Sequence, residues 1–90
     1  EYLAFFMETQ VSELQALKLR KAINLYPKNA SIQNDYGYVL VLNSGGNENK
    51  FLSSEQYFLN ALDLDPDLIT ALENITSFYL NYQNDLSLHL

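Results

Sequence analysis

Ala22-Ile23-Asn24-Leu25-Tyr26-Pro27 and Ala61-Leu62-Asp63-Leu64-Asp65-Pro66 follow one pattern: alanine, branched aliphatic, polar residue, leucine, any residue, proline. Their prolines lie 39 positions apart, and the same offset pairs Leu19 with Phe58, Tyr36 with Ile75 and Leu40 with Tyr79. Apolar positions that recur together at a fixed offset indicate a repeated unit, so a repeat is weighed before any single-core fold.

Outward from these two stretches, apolar residues fall three or four apart, which is helical spacing. Leu14, Leu17, Ala22, Ile23 and Leu25 carry one such run. Ser12 and Gln15 have capping-box spacing and predict a helix start near Ser12. Pro27 has no amide hydrogen and clashes with the preceding turn, so the helix stops before it. A second helix is predicted over about 30–42, with Ile32, Tyr36, Val39 and Leu40. Residues 43–49, Asn-Ser-Gly-Gly-Asn-Glu-Asn, are small and polar and read as a loop. A third helix is expected over about 52–64, with capping-box spacing at Ser53 and Gln56. A fourth covers about 68–82, where Leu72, Ile75, Phe78, Tyr79 and Tyr82 share or border one face. Residues 1–8 read as the end of an incoming helix and 85–90 as the start of an outgoing one. No stretch alternates with the period of a strand, so the chain is expected to be all-α, built of antiparallel helix hairpins.

This pattern resembles the tetratricopeptide repeat (TPR), a unit of two antiparallel helices. In the central unit Tyr36-Gly37 and Leu40 match the first helix, with Gln33 in place of the usual aromatic residue. Phe51, Ser54, Phe58, Ala61 and Pro66 match the second. Tyr2 and Phe6, then Leu19, Ala22 and Pro27, match an incoming unit, and Leu72, Ile75 and Tyr79 an outgoing one. The resemblance spans the chain as one single domain: a partial repeat at 1–29, a full repeat at 30–68 and a partial repeat at 69–90. It implies hairpins stacked as a fragment of a right-handed superhelical solenoid. Leu3, Gln15, Thr76 and Leu88 depart from the pattern where small residues are preferred. The offset of 39 exceeds the usual repeat of about 34, and the excess is assigned to an insertion at 44–48. Such an insertion costs little, because loop-closure entropy grows only logarithmically with length.

The pattern residues act through packing. Small side chains at Ala22, Gly37, Ser54 and Ala61 let paired helices approach. Large ones at Leu19, Leu40, Phe58 and Tyr79 fill the space between hairpins. Glycine inside a helix costs about 1 kcal/mol relative to alanine, so Gly37 signals a close contact.

Composition narrows the function. The 90 residues hold 11 acidic against 5 basic side chains, a net charge of -6, and 48% hydrophobic residues. That charge argues against a nucleic-acid or anionic-membrane surface, and the hydrophobic content against disorder. There is no cysteine and one histidine, His89, so thiolate metal sites and histidine-based catalysis are disfavoured. No apolar run is long enough to span a bilayer. The chain begins at Glu1 without a basic-then-apolar leader and reads as a piece of a longer protein, with the cytoplasm as the expected setting.

Several sharper readings have blander rivals. Asp63, Asp65 and Asp67 alternate like calcium-loop ligands, but Pro66 and Asn74 stand where that loop needs flexibility and a bidentate glutamate. An acidic helix end is the preferred reading, and acid/base catalysis by Asp63 and Asp67 lacks a desolvating pocket. Gly45-Gly46 lacks the strand and the Gly-Lys-Ser/Thr of a phosphate loop. Asn29-Ala30-Ser31 and Asn74-Ile75-Thr76 fit the glycosylation sequon, but chance matches are preferred in an asparagine-rich chain. Lys18, Arg20, Lys21 and Lys28 form a basic patch, read as a solvated face before an acidic-peptide site.

The family resemblance implies a concave groove lined by first helices, here Ser31, Asn34, Tyr38, Val41 and Leu42, then Thr70, Glu73, Asn74, Ser77 and Asn81. Family members that clamp a terminal carboxylate use cations. The matching positions here hold Asn34, Tyr38, Glu73 and Ser77, so that ligand is not expected. The sequence therefore points to a non-enzymatic protein–protein interaction scaffold with no cofactor and no metal, binding a protein or peptide in this groove. Two alternatives stand beside it: a structural spacer whose hairpins stack on further repeats or self-associate, with Leu86, Leu88 and Leu90 needing a neighbour, and an accessory domain of a larger enzyme.

Overall fold

A computed structural model describes the backbone of residues 2–44 and 47–89, and side chains within 13–44 and 47–82. It is all-helical: α1 (Tyr2–Leu25), α2 (Ala30–Leu42), α3 (Glu48–Leu64) and α4 (Ile69–His89), with no strand among the described residues. The molecule measures 37 × 36 × 20 Å, a slab two helix diameters thick. Packing follows chain order: α2 lies against α1 and most extensively against α3, α3 against α4, and α2 also reaches α4. Among the described residues α1 does not pack on α3.

The two proline turns are built alike, and the offset of 39 reappears in their hydrogen bonds. Tyr26 N–H donates to Ala22 O at 2.7 Å, as Asp65 N–H does to Ala61 O at 2.8 Å. Asn29 N–H donates to Tyr26 O and Leu68 N–H to Asp65 O. Gln33 N–H to Asn29 O and Leu72 N–H to Leu68 O complete the match. Each proline thus ends one helix, and a short turn delivers the chain into the next.

The boundaries differ from the sequence expectation at three places. Helix α1 runs through Ser12 without a break, because Thr9 to Glu13 contain neither glycine nor proline and nothing there stops the ladder. Helix α3 starts at Glu48, not near Ser53. The Asn47 side chain accepts from Lys50 N–H at 3.2 Å, and Glu48 in the first turn complements the helix dipole. Ser53 instead donates back to Asn49 O inside the helix, and Gln56 pairs with Asn60. Helix α4 continues to His89, so the backbone of 85–89 extends it rather than opening a new helix. Gly45, Gly46 and Leu90 lie outside the described residues, as do the side chains of Tyr2, Leu3, Phe6, Ser12, Leu86, Leu88 and His89.

The core joins α2, α3 and α4. Phe58, Ile75 and Phe78 are buried together, with Val41, Phe51 and Leu62 packed around them. Phe51 stacks on Phe78 at 4.6 Å between ring centroids, and Phe58 meets Phe78 edge-on at 6.5 Å. Ser54, Ala61 and Ala71 are fully buried small residues at the helix contacts. Tyr79, expected to fill a gap between hairpins, is 41% exposed, since no helix covers that side of α4 among the described residues.

Gly37 sets the α2–α3 spacing. A Cβ at this position would sit 2.8 Å from Phe58 Cε1 and 3.2 Å from Ser54 O. Phe58 is only 1% exposed, so its ring has no free space into which to retreat. Gly37→Ala therefore sets a propensity gain of about 1 kcal/mol against overpacking of about 1–3 kcal/mol. Because a buried ring and a backbone carbonyl must both shift, overpacking dominates and thermal denaturation should show a lower Tm. Combining it with Phe58→Leu should relieve part of that loss beyond additivity. An unchanged or higher Tm in the single variant would disprove the contact.

Candidate functional site

The residues expected to line a groove lie on α2 and α4, and asparagine hydrogen bonds join these two helices. Asn34 Nδ2 donates to Thr70 Oγ1 at 3.2 Å, and Asn74 Nδ2 donates to Asn34 Oδ1 at 3.0 Å. Asn34 is 4% exposed, so it is an internal strut and not a group presented to a partner. This corrects the expectation drawn from the family resemblance, which placed Asn34 among the groove-facing residues. Thr70 and Asn74 are the other ends of the strut, and the engaged amide of Asn74 leaves that sequon inside a packed helix. Val41 packs against the Phe58–Ile75–Phe78 cluster and so faces the core.

The remaining groove residues face outward. Ser31, Leu42, Glu73, Ser77 and Asn81 are exposed, and Tyr38 is 49% exposed. Tyr38 stands one turn beyond Asn34 on the same stripe of α2. Glu73, Ser77 and Asn81 follow one another at helical spacing along α4. The stripe is polar and anionic apart from Tyr38 and Leu42.

Sequence reasoning missed Gln33, which is 5% exposed. Its Nε2 donates to Pro27 O at 2.9 Å, and its Oε1 accepts from Asn60 Nδ2 at 3.3 Å. Asn60 Oδ1 in turn accepts from Gln56 Nε2 at 2.8 Å. An amide relay thus ties the first proline turn to α3. This gives a physical reason for glutamine where the resembling family has an aromatic ring. Asn29, the other sequon residue, caps α2 by accepting from Ile32 N–H at 3.0 Å. Its spacing to an apolar run is the cue that could have revealed it.

Titratable groups divide between the faces. The Tyr79 phenol is hydrogen-bonded to Glu55, which holds its pKa above the ordinary value, helped by burial and the carboxylate charge. Burial raises the Asp35 carboxyl. Burial and neighbouring Tyr57 raise the Tyr36 phenol, while Arg20 pulls it down. Asp65 Oδ1 accepts from Asp67 N–H at 3.1 Å and serves the second proline turn. No group of three or more His, Cys, Asp or Glu among the described residues is placed to hold a metal ion. No helix among them is long and apolar enough to cross a membrane.

The strut makes a quantitative prediction. Asn34→Ala strands the Asn74 amide in a partly buried site, so each single alanine variant should lose about 1–3 kcal/mol in urea denaturation. The Asn34→Ala/Asn74→Ala pair should lose less than the two singles together, because neither orphan then remains. Strict additivity would show that the two amides do not support each other.

A scan against protein-family models gives no match, nor does comparison with curated proteins or with solved structures.

Proposed function

We propose that this chain is a non-enzymatic interaction scaffold of tetratricopeptide-like hairpins that binds a peptide or protein segment along α2 and α4. The observation that carries the reading is the Asn34–Thr70–Asn74 junction, which fixes the two helices side by side beneath a half-exposed Tyr38. Matching hydrogen bonds in the two proline turns support the repeat itself. The mechanism is preorganisation: helices already locked together lose little entropy when a ligand settles on them. Tyr38 supplies a rigid aromatic anchor, with Ser31, Ser77 and Asn81 as adaptable hydrogen-bonding groups around it. Exposed Glu73 and a net charge of -6 favour a neutral or basic segment.

A second reading, the self-associating spacer, has its own observation. Leu72 lies 39 positions after buried Gln33 yet is 45% exposed, and Leu14 and Leu17 on α1 are exposed as well. The position that the first proline turn and α3 cover on α2 is bare on α4, where a further hairpin or a second copy would supply the cover.

Selection from a displayed random-peptide library tests the first reading, followed by amide chemical-shift mapping of a selected peptide. Shifts should centre on Tyr38, Ser77 and Asn81. Tyr38→Ala, with unchanged circular dichroism, should weaken binding roughly 30-fold, the effect of losing a hot-spot residue of about 2 kcal/mol. Shifts centred elsewhere, or equal binding by the variant, would overturn the groove. Concentration-dependent sedimentation abolished by Leu72→Lys would favour the spacer instead.

A further inference from the structure

Opposite the Asn34 junction, α1 and α3 stand apart across α2 and leave an open trough of about 350 Å³. Tyr36 and Leu40 of α2 lie along it, with Arg20 contributed by α1 and Lys50 and Tyr57 by α3. The Tyr36 and Tyr57 rings meet edge to face, 4.7 Å apart at 89°, forming a continuous aromatic surface. Among the described residues no carboxylate lines the trough, and neither cation has an ion-pair partner. Two of only five basic side chains in a chain of net charge -6 therefore converge on one cleft.

We propose that this trough binds an acidic peptide segment, seating a carboxylate between Arg20 and Lys50 and a neighbouring apolar side chain on Tyr36, Tyr57 and Leu40. Arginine offers a carboxylate a planar fork and lysine a point charge, and a tyrosine hydroxyl adds a neutral donor. The Tyr36 phenol, pushed above its ordinary pKa, keeps its proton at neutral pH and can donate. Ser53 Oγ is engaged with the Asn49 backbone O and Asn47 Oδ1 with Lys50 N–H, so neither of those oxygens competes for the ligand. The charged groups lining the trough are Arg20 and Lys50. The volume lies in the range of small-ligand sites and exceeds what a bare ion fills, so the apolar wall implies a ligand with both charge and hydrocarbon. The strongly negative chain disfavours highly charged polyanions, which leaves isolated carboxylates as the best-matched charge. This site does not depend on the α2–α4 groove, because Tyr36 and Tyr38 point to different sides of α2.

Isothermal titration with a capped hexapeptide of two glutamates flanked by leucine and phenylalanine tests it. The glutamine twin of that peptide and inorganic phosphate serve as comparison probes. The glutamate peptide should bind at least about tenfold tighter than its twin, and weaken by a similar factor in Arg20→Gln/Lys50→Gln. Tyr36→Phe should weaken binding of the glutamate peptide if its hydroxyl donates, and ring resonances of Tyr36 and Tyr57 should shift on binding. Both cations are exposed, so the double variant should keep the parent's melting curve. Equal binding of both peptides, or full binding by the double variant, would overturn the proposal. Phosphate binding that depends on Arg20 and Lys50 without peptide binding would also overturn it, reducing the site to one for a small inorganic anion. Loss of peptide binding in Tyr38→Ala but not in the double variant would place the ligand in the groove, sinking this site while sparing the scaffold reading.

Discussion

The close approach of α2 to α3 at Gly37 is the constraint on which the other contacts depend. Without a side chain at Gly37, the Phe58 ring lies directly against the α2 backbone, beside the Ser54 carbonyl. Phe58 is thereby held where Ile75 and Phe78 close over it, and Val41 reaches the same cluster from α2. A wider α2–α3 spacing would leave Phe58 partly uncovered and remove the surface on which α4 rests. The helix-propensity cost of one glycine is about 1 kcal/mol, comparable to half the burial energy of one large side chain, so the trade favours packing.

The apolar contact fixes distance, and the buried amides fix orientation. Hydrocarbon packing is non-directional, so a helix pair could slide by a fraction of a turn at modest cost. Gln33 and Asn34 prevent that sliding because each must meet partners on other elements. Gln33 engages the first proline turn and α3, and Asn34 engages Thr70 and Asn74 on α4. Among the described residues no buried side-chain nitrogen or oxygen lacks a hydrogen-bond partner, the condition under which a polar network stabilises instead of destabilising. Neighbours in sequence, the two amides lie about 100° apart around α2 and tie it to different elements.

Local chemistry was legible in the sequence, and long-range geometry was not. The proline turns, the span of α2 and the tight contact at Gly37 follow from rules that act within a few residues. The start of α3 was misplaced because capping-box spacing at Ser53 competes, on paper, with the asparagine cap at Asn47. In the folded chain the earlier cap captures Lys50 N–H and adds a full turn to the helix. Runs through Ser12 and past residue 82 were misjudged for a related reason: a serine or asparagine inside a helix is tolerated, so it signals a boundary only weakly. The burial of Asn34 is not legible in the sequence, because a family pattern assigns it a face without saying whether α4 covers it. The trough stayed hidden for the same reason. Arg20 and Lys50 are 30 residues apart, and only the placement of α1 and α3 on either side of α2 brings them to one cleft.

Helix α2 is thus the shared wall of two chemically unlike surfaces. Tyr36 belongs to the cationic trough and Tyr38 to the polar, anionic groove, and two residues along a helix amount to about 200° of rotation. The polarity of the two surfaces is opposite as well: Glu73 stands beside one, Arg20 and Lys50 beside the other. On the two proposed readings, a basic segment favoured beside Glu73 meets like charge at Arg20 and Lys50, and an acidic segment favoured there meets like charge at Glu73, so charge would separate them. Because α2 is held by a steric contact and satisfied amides rather than by either ligand, occupation of one face need not reshape the other. The two surfaces lie about one helix diameter apart, on either side of a helix whose position depends on neither of them.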